Sequence, residues 1–166
     1  AKLYMGFSYY KLGNKERGSE LTQSYFKKKP SDFFAHSELG IIFSDLKNYT
    51  EAVNELKIFL KSEPEDWFVN SLIAEAFSRL KKYDEAEEHC QKASEFLPEP
   101  KNPWCFNELA EAYYKEKKYK KHVEVLKKMI LIEPDKWSTN DWIAASFSRL
   151  KKYDKAEEHC QKALEF

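Results

Sequence analysis

The feature that most limits what this chain can fold into is that it copies itself. Phe77 to Phe96 reads FSRLKKYDEAEEHCQKASEF, and Phe147 to Phe166 reads FSRLKKYDKAEEHCQKALEF, with 18 of 20 positions identical at a separation of 70 residues. A weaker copy lies between them. Pro30, Pro64, Pro98 and Pro134 stand 34, 34 and 36 residues apart, the longer step reflecting a two-residue insertion around Lys101 and Asn102. A period near 34 residues means a stack of small units, since one such unit cannot bury its own apolar face.

In that frame the residue sizes align in columns. Gly6, Gly40, Ala74, Ala110 and Ala144 form one; Tyr9, Phe43, Phe77, Tyr113 and Phe147, three residues later, form an aromatic one. Gly18, Ala52, Ala86 and Ala156 form a third, where the fourth unit carries His122 instead. Apolar residues recur at helical spacing within each unit, as in Leu39, Gly40, Phe43 and then Ala52, Leu56, Phe59, Leu60. The pattern predicts two helices of about 12–14 residues per unit, joined by a short polar turn such as Lys47-Asn48 and closed by the proline. Small residues let the paired helices approach, and the aromatic fills the gap against a neighbour. His122 in a small column predicts looser packing or a shifted helix in unit four.

These residues, Leu39-Gly40-x-x-Phe43 with Ala52 and Pro64, and Ile73-Ala74-x-x-Phe77 with Ala86 and Pro98, resemble the tetratricopeptide repeat. The resemblance runs over essentially the whole chain and implies an all-α, right-handed α-solenoid of five helix–turn–helix repeats. Their expected bounds are about 1–30, 31–64, 65–98, 99–134 and 135–166, as one array, a segment of a longer one. The family's common tryptophan early in the first helix is replaced here by His36, Asn70, Phe106 and Asn140, with Phe33, Trp67 and Trp137 three residues earlier. A longer period overlies the first. Units three and five share 22 of 30 residues over Trp67–Phe96 and Trp137–Phe166, and units two and four echo each other, so the copied block is a pair of repeats.

Composition excludes several functions. Twenty-eight basic residues balance 28 acidic ones, which does not fit a nucleic-acid binder whose affinity comes from neutralising phosphates. No stretch approaches the roughly 20 apolar residues of a membrane span. Three cysteines without CxxC spacing argue against a disulfide framework or zinc site and fit a reducing compartment such as the cytoplasm.

No Gly-rich phosphate loop, nucleophile elbow or zinc-protease motif occurs, so the chain reads as a non-enzyme without cofactor or metal. His89-Cys90 and His159-Cys160 are neighbours on a helix, pointing about 100° apart, and cannot serve one metal. The columns place Cys90 and Cys160 inward as small hydrophobes and His89 and His159 at the rim. Lysine pairs at the turns (Lys81-Lys82, Lys117-Lys118, Lys151-Lys152) read as solubilising charge.

The resemblance implies that first-helix residues line a concave groove that binds a partner segment. The corresponding positions here are Phe7 and Tyr10, Phe34 and Ile41, Phe68 and Arg79, Trp104 and Tyr114, and Arg149. The two-carboxylate clamp of chaperone-binding members is absent, because its positions carry Leu3, Phe7, Glu38, Phe68 and Leu72 in one frame and Ser37, Ile41, Leu72, Trp104 and Glu108 in the other. The expected partner is therefore a protein or peptide with hydrophobic anchors, bound through exposed aromatics. The alternatives are self-association, stacking through terminal helices left uncapped beyond Phe166, or service as a non-catalytic arm of a larger complex.

Overall fold

The computed structural model describes residues 1–96, 104–134 and 136–165, without the Trp137 side chain. Pro98, the insertion around Lys101 and Asn102, the Trp137 side chain and Phe166, which figured in the expectations above, lie outside it. Among the described residues there are ten helices and no strand. They are α1 (Lys2–Lys11), α2 (Lys15–Phe26), α3 (Phe33–Asp45), α4 (Tyr49–Phe59), α5 (Trp67–Arg79), α6 (Tyr83–Glu95), α7 (Trp104–Lys115), α8 (Tyr119–Ile132), α9 (Trp137–Arg149) and α10 (Tyr153–Leu164). Consecutive helices pack in pairs, and each pair packs on the next.

The turns inside the pairs follow one design. Gly13, Lys47, Lys81, Lys117 and Lys151 occupy the same place, each with positive φ between 57° and 82°. The next residue donates its N–H to the carbonyl of the aromatic column, as Lys82 does to Phe77 and Lys152 to Phe147, both at 2.9 Å. The positive-φ residue donates to the carbonyl three back, as Lys81 does to Ser78 at 3.0 Å. These two bonds satisfy carbonyls that the ending helix leaves open, in a left-handed cap where glycine is the least strained residue. Four of the five turns use lysine instead, whose cation suits the negative helix end. Asn14, Asp32 and Asp66 start their helices by accepting an N–H three residues on.

The small column works through contact distance. A Cβ added to Gly40 would come within 2.6 Å of Leu56 Cγ, so α3 and α4 approach more closely than an alanine allows. Where the first helix carries Ala74, the matching residue on the second is the smaller Cys90, both fully buried. Unit four instead combines Ala110 and Leu126 with His122. There α7 and α8 touch along less of their length than the other pairs, and α8 leans on α9 more than any second helix leans on the next unit. This agrees with the looser packing or shifted helix expected where His122 stands in the small column.

A further contact spans three of the pairs, each time between residues 19 apart. His36 Nδ1 lies 2.6 Å from Glu55 Oε2, His89 Nδ1 lies 2.9 Å from Asn70 Oδ1, and His159 Nδ1 lies 3.0 Å from Asn140 Oδ1. Asn70 gives its amide protons to the carbonyls of Pro64 and Asp66. Its oxygen is therefore an acceptor, and His89 donates from Nδ1. In unit four the equivalent residues are Phe106 and Val125, both buried. The position that holds the family's tryptophan has become a polar bridge in three units.

These bridges correct the expectation for His89, which is not at the rim but 8 % exposed inside the pair. Burial among apolar neighbours, with Lys92 and Lys57 adding repulsion, lowers its pKa to about 4. Cys160 also departs from expectation. It is exposed, while Cys90 is fully covered beside Cys105 of α7. Among the described residues α7 packs on α6 beside Cys90, and no helix takes that place beside Cys160.

Candidate functional site

The first helices of the pairs carry the residues expected to meet a partner, and the structure divides them into three kinds. Phe7 and Tyr10 are core residues, each 6 % exposed. Tyr10 packs edge-on against Phe43 with ring centres 5.0 Å apart, joining units one and two. Their placement in a groove is corrected: the aromatic surface needed to seat α3 on α1 leaves neither free.

Arg79 and Arg149 are exposed but engaged. Arg79 donates to Glu108 Oε2 at 2.8 Å, tying α5 to α7. Glu75, 3.9 Å from the same guanidinium, has its carboxyl raised above the ordinary range by burial and by the nearby Glu108 charge. The nearby Tyr114 hydroxyl raises the Arg149 guanidinium pKa.

Phe34, Phe68 and Trp104 hold one column at the starts of α3, α5 and α7. Phe34 is 73 % exposed and Phe68 43 %, while Trp104 and Ile41 are half-buried. Phe34 has Phe59 as an edge-on neighbour at 6.2 Å and Phe68 has Trp67 at 5.7 Å, so both rings are braced on one side and open on the other.

Tyr114 belongs to a cavity that the sequence reading did not assemble. About 310 Å³ in volume, it lies between α7, α8 and α9 and is lined by Glu111, Tyr114, His122, Trp142 and Ala145. His122 sets it. Its Nδ1 is 2.6 Å from Ser146 Oγ of α9, and its ring lies 5.2 Å from Tyr114 and 6.4 Å from Trp142. Burial lowers its pKa to about 4, so at neutral pH the ring is an uncharged wall. Trp142 is 44 % exposed, in a column otherwise held by Tyr4, Glu38, Leu72 and Glu108. That tryptophan and the histidine in the small column were the available signals, and they are 20 residues apart on different helices.

The turn lysines have local work. Glu116 takes ion pairs from Lys81 at 3.1 Å and Lys118 at 2.8 Å, and with Tyr83 beside it these donors lower its pKa to about 2. Lys118 also lies over the Tyr83 ring, 4.5 Å from its centre. Among the described residues no three His, Cys, Asp or Glu side chains are grouped to hold a metal ion, and no helix is long and apolar enough to cross a membrane.

Comparison with known proteins agrees with this architecture. The tetratricopeptide repeat profile matches residues 69–98, which span α5 and α6. A crystal structure of MamA superposes with a TM-score of 0.72 at 18 % identity, covering 99 % of this chain and 88 % of that one. A MamA RS-1 double mutant gives 0.67 at 18 % identity, over 99 % of this chain and 91 % of its own. MamA AMB-1 gives 0.66 at 20 % identity, over 99 % and 89 %. No curated protein matches in sequence. At such identities the likeness is one of fold. The chain therefore carries the tetratricopeptide repeat, matched outright at residues 69–98, within an all-α solenoid of paired helices.

Proposed function

We propose that this solenoid is a protein-interaction scaffold that docks a partner segment along its first helices through aromatic anchors. The observation that carries the reading is the column Phe34, Phe68 and Trp104. Two large rings stand open to solvent and a third is half-buried, at one position on three successive units. Exposed aromatics repeated along one edge are the composition of an interface hot spot. Spaced once per unit, they suit an extended or helical segment that runs across several units.

The test uses a peptide selected from a display library against the whole chain. Changing Phe34 and Trp104 together to alanine should weaken its binding by about tenfold or more, as loss of anchor residues does. Helicity by circular dichroism should stay unchanged, because Phe34 is mostly solvent-exposed. Unaltered affinity would sink the reading.

A second reading is self-assembly. The outer face of α10 presents Tyr153, Cys160 and Leu164, exposed, where the near-identical face of α6 receives α7. A first helix from a second copy fits that face. Sedimentation that stays monomeric over a hundredfold concentration range excludes it.

A further inference from the structure

The cavity at the junction of units four and five is chemically unlike the open column of anchors. Three rings converge on it, from Tyr114, His122 and Trp142, and the His122 and Trp142 planes are only 28° from parallel. Glu111 is the one carboxylate in its lining. At about 310 Å³ it is at the small end of ligand sites, suited to one side chain. The electron-rich faces of Tyr and Trp attract a cation that comes within about 6 Å of the ring centre.

An apolar guest would use the rings alone and leave Glu111 to its exposed pair with Lys115. A cationic guest satisfies both the rings and the carboxylate. The charges already present permit it. Lys115 pairs with Glu111 Oε1 at 2.5 Å, but that i,i+4 pair is exposed on both sides and exchanges at little cost. Among the described residues the cations that lie over ring faces are over Tyr25, Phe77, Tyr83 and Phe147, not over Tyr114 or Trp142.

We propose that this pocket receives a basic side chain, arginine or lysine, from a partner polypeptide, held between Tyr114, Trp142 and His122 with its charge on Glu111. The proposal deepens the scaffold reading and rests on it for the source of the side chain. It adds a requirement for one positive charge to a segment otherwise held by apolar anchors. His122 stands where the other units carry Gly18, Ala52, Ala86 and Ala156, so among the described residues this ring is particular to the junction of units four and five.

The experiment follows the tryptophan indole N–H signals by NMR in the whole chain, assigned with Trp142→Phe. Two probes are titrated: N-acetyl-arginine methylamide and its uncharged near-isostere, N-acetyl-citrulline methylamide. The arginine probe should shift the Trp142 signal and bind about tenfold more tightly than citrulline. Glu111→Gln should remove most of that preference with an unchanged melting temperature, since Glu111 is exposed. Equal binding of both probes, no response at Trp142, or a preference that survives Glu111→Gln overturns the proposal. The probes are small and do not use Phe34 or Trp104. A chain that keeps its selected peptide when Phe34 and Trp104 become alanine yet still prefers arginine refutes only the groove reading, and one that loses the peptide but shows no preference for arginine refutes only this one.

Discussion

Units three and five are nearly the same sequence in two different settings. Cys90 of α6 is fully covered, and its copy Cys160 of α10 is exposed. His89 is buried against Asn70, whereas His159 makes the same bond to Asn140 half in solvent. Their turns are almost superposable, with φ of 61° at Lys81 and 57° at Lys151. Within a repeat, then, the short-range features follow the local sequence, while burial is conferred by the next unit. Stability in such an array is a sum of unit terms and interface terms, and this pair separates the two.

Acid titration separates them with the largest expected effect. His89 has its folded pKa lowered from 6.5 to about 4. Between those values the unfolded chain binds a proton that the folded one refuses. The contribution is thus fully present above about pH 6.5, declines as pH falls, and levels off below about 4. The difference corresponds to roughly 3 kcal/mol for a side chain this buried. His122, also lowered to about 4, adds a similar amount. His159 is lowered by burial as well, but it faces more solvent. Urea unfolding at pH 7 and pH 4.5 should therefore show a loss of stability that His89→Gln reduces by about 2 kcal/mol. Glutamine keeps a donor for Asn70. His159→Gln should reduce the loss clearly less, and equal reductions would mean that the neighbouring unit does not set the burial.

The same distinction explains what could be read before any coordinates. The 34-residue columns of Gly40, Phe43 and Ala52 announce the pairing of helices, because size complementarity inside a pair is a local matter. Crowding at His122 was legible for that reason too. The fate of Cys160 was not, since its column is identical to that of Cys90 and the difference lies in a helix packed from outside. Phe7 and Tyr10 failed similarly. They hold first-helix positions expected to be open, but α3 packs down on them. Arg79 looked free because its partner, Glu108, is 29 residues away on another unit. The Tyr114–His122–Trp142 cavity needs three helices at once, and no periodicity within one unit points to it.

Core substitution gives the next largest contrast. Cys90→Leu inserts extra carbon atoms beside Cys105 and opposite Ala74, where all three residues are essentially without solvent. Overpacking of that kind costs about 1–3 kcal/mol. Cys160→Leu places the same side chain on an exposed face and should change stability by no more than about 0.5 kcal/mol. Denaturant midpoints of the two variants decide it. Comparable losses at both positions would show that α10 is covered in solution, which would favour the self-associated reading.

The smallest expected effect is the one that should be equal in the two units. Lys81 and Lys151 sit in the left-handed region, where a β-carbon is strained by roughly 1 kcal/mol, and the cap bonds around them are backbone only. Glycine relieves the strain but adds freedom to the unfolded chain and removes a cation from the helix end, so the net gain should be below about 1 kcal/mol. Among the described residues Lys151 has no ion pair comparable to Lys81–Glu116, whose lysine is mostly exposed, so that pair contributes little. Lys81→Gly and Lys151→Gly should therefore raise the denaturant midpoint by similar small amounts. A gain at Lys151 with a loss at Lys81 would mean that the Glu116 cluster, and hence the junction between units three and four, reaches into the turn. The turn would then no longer count as a local feature, and the separation between unit and interface terms would have to be drawn inside the repeat.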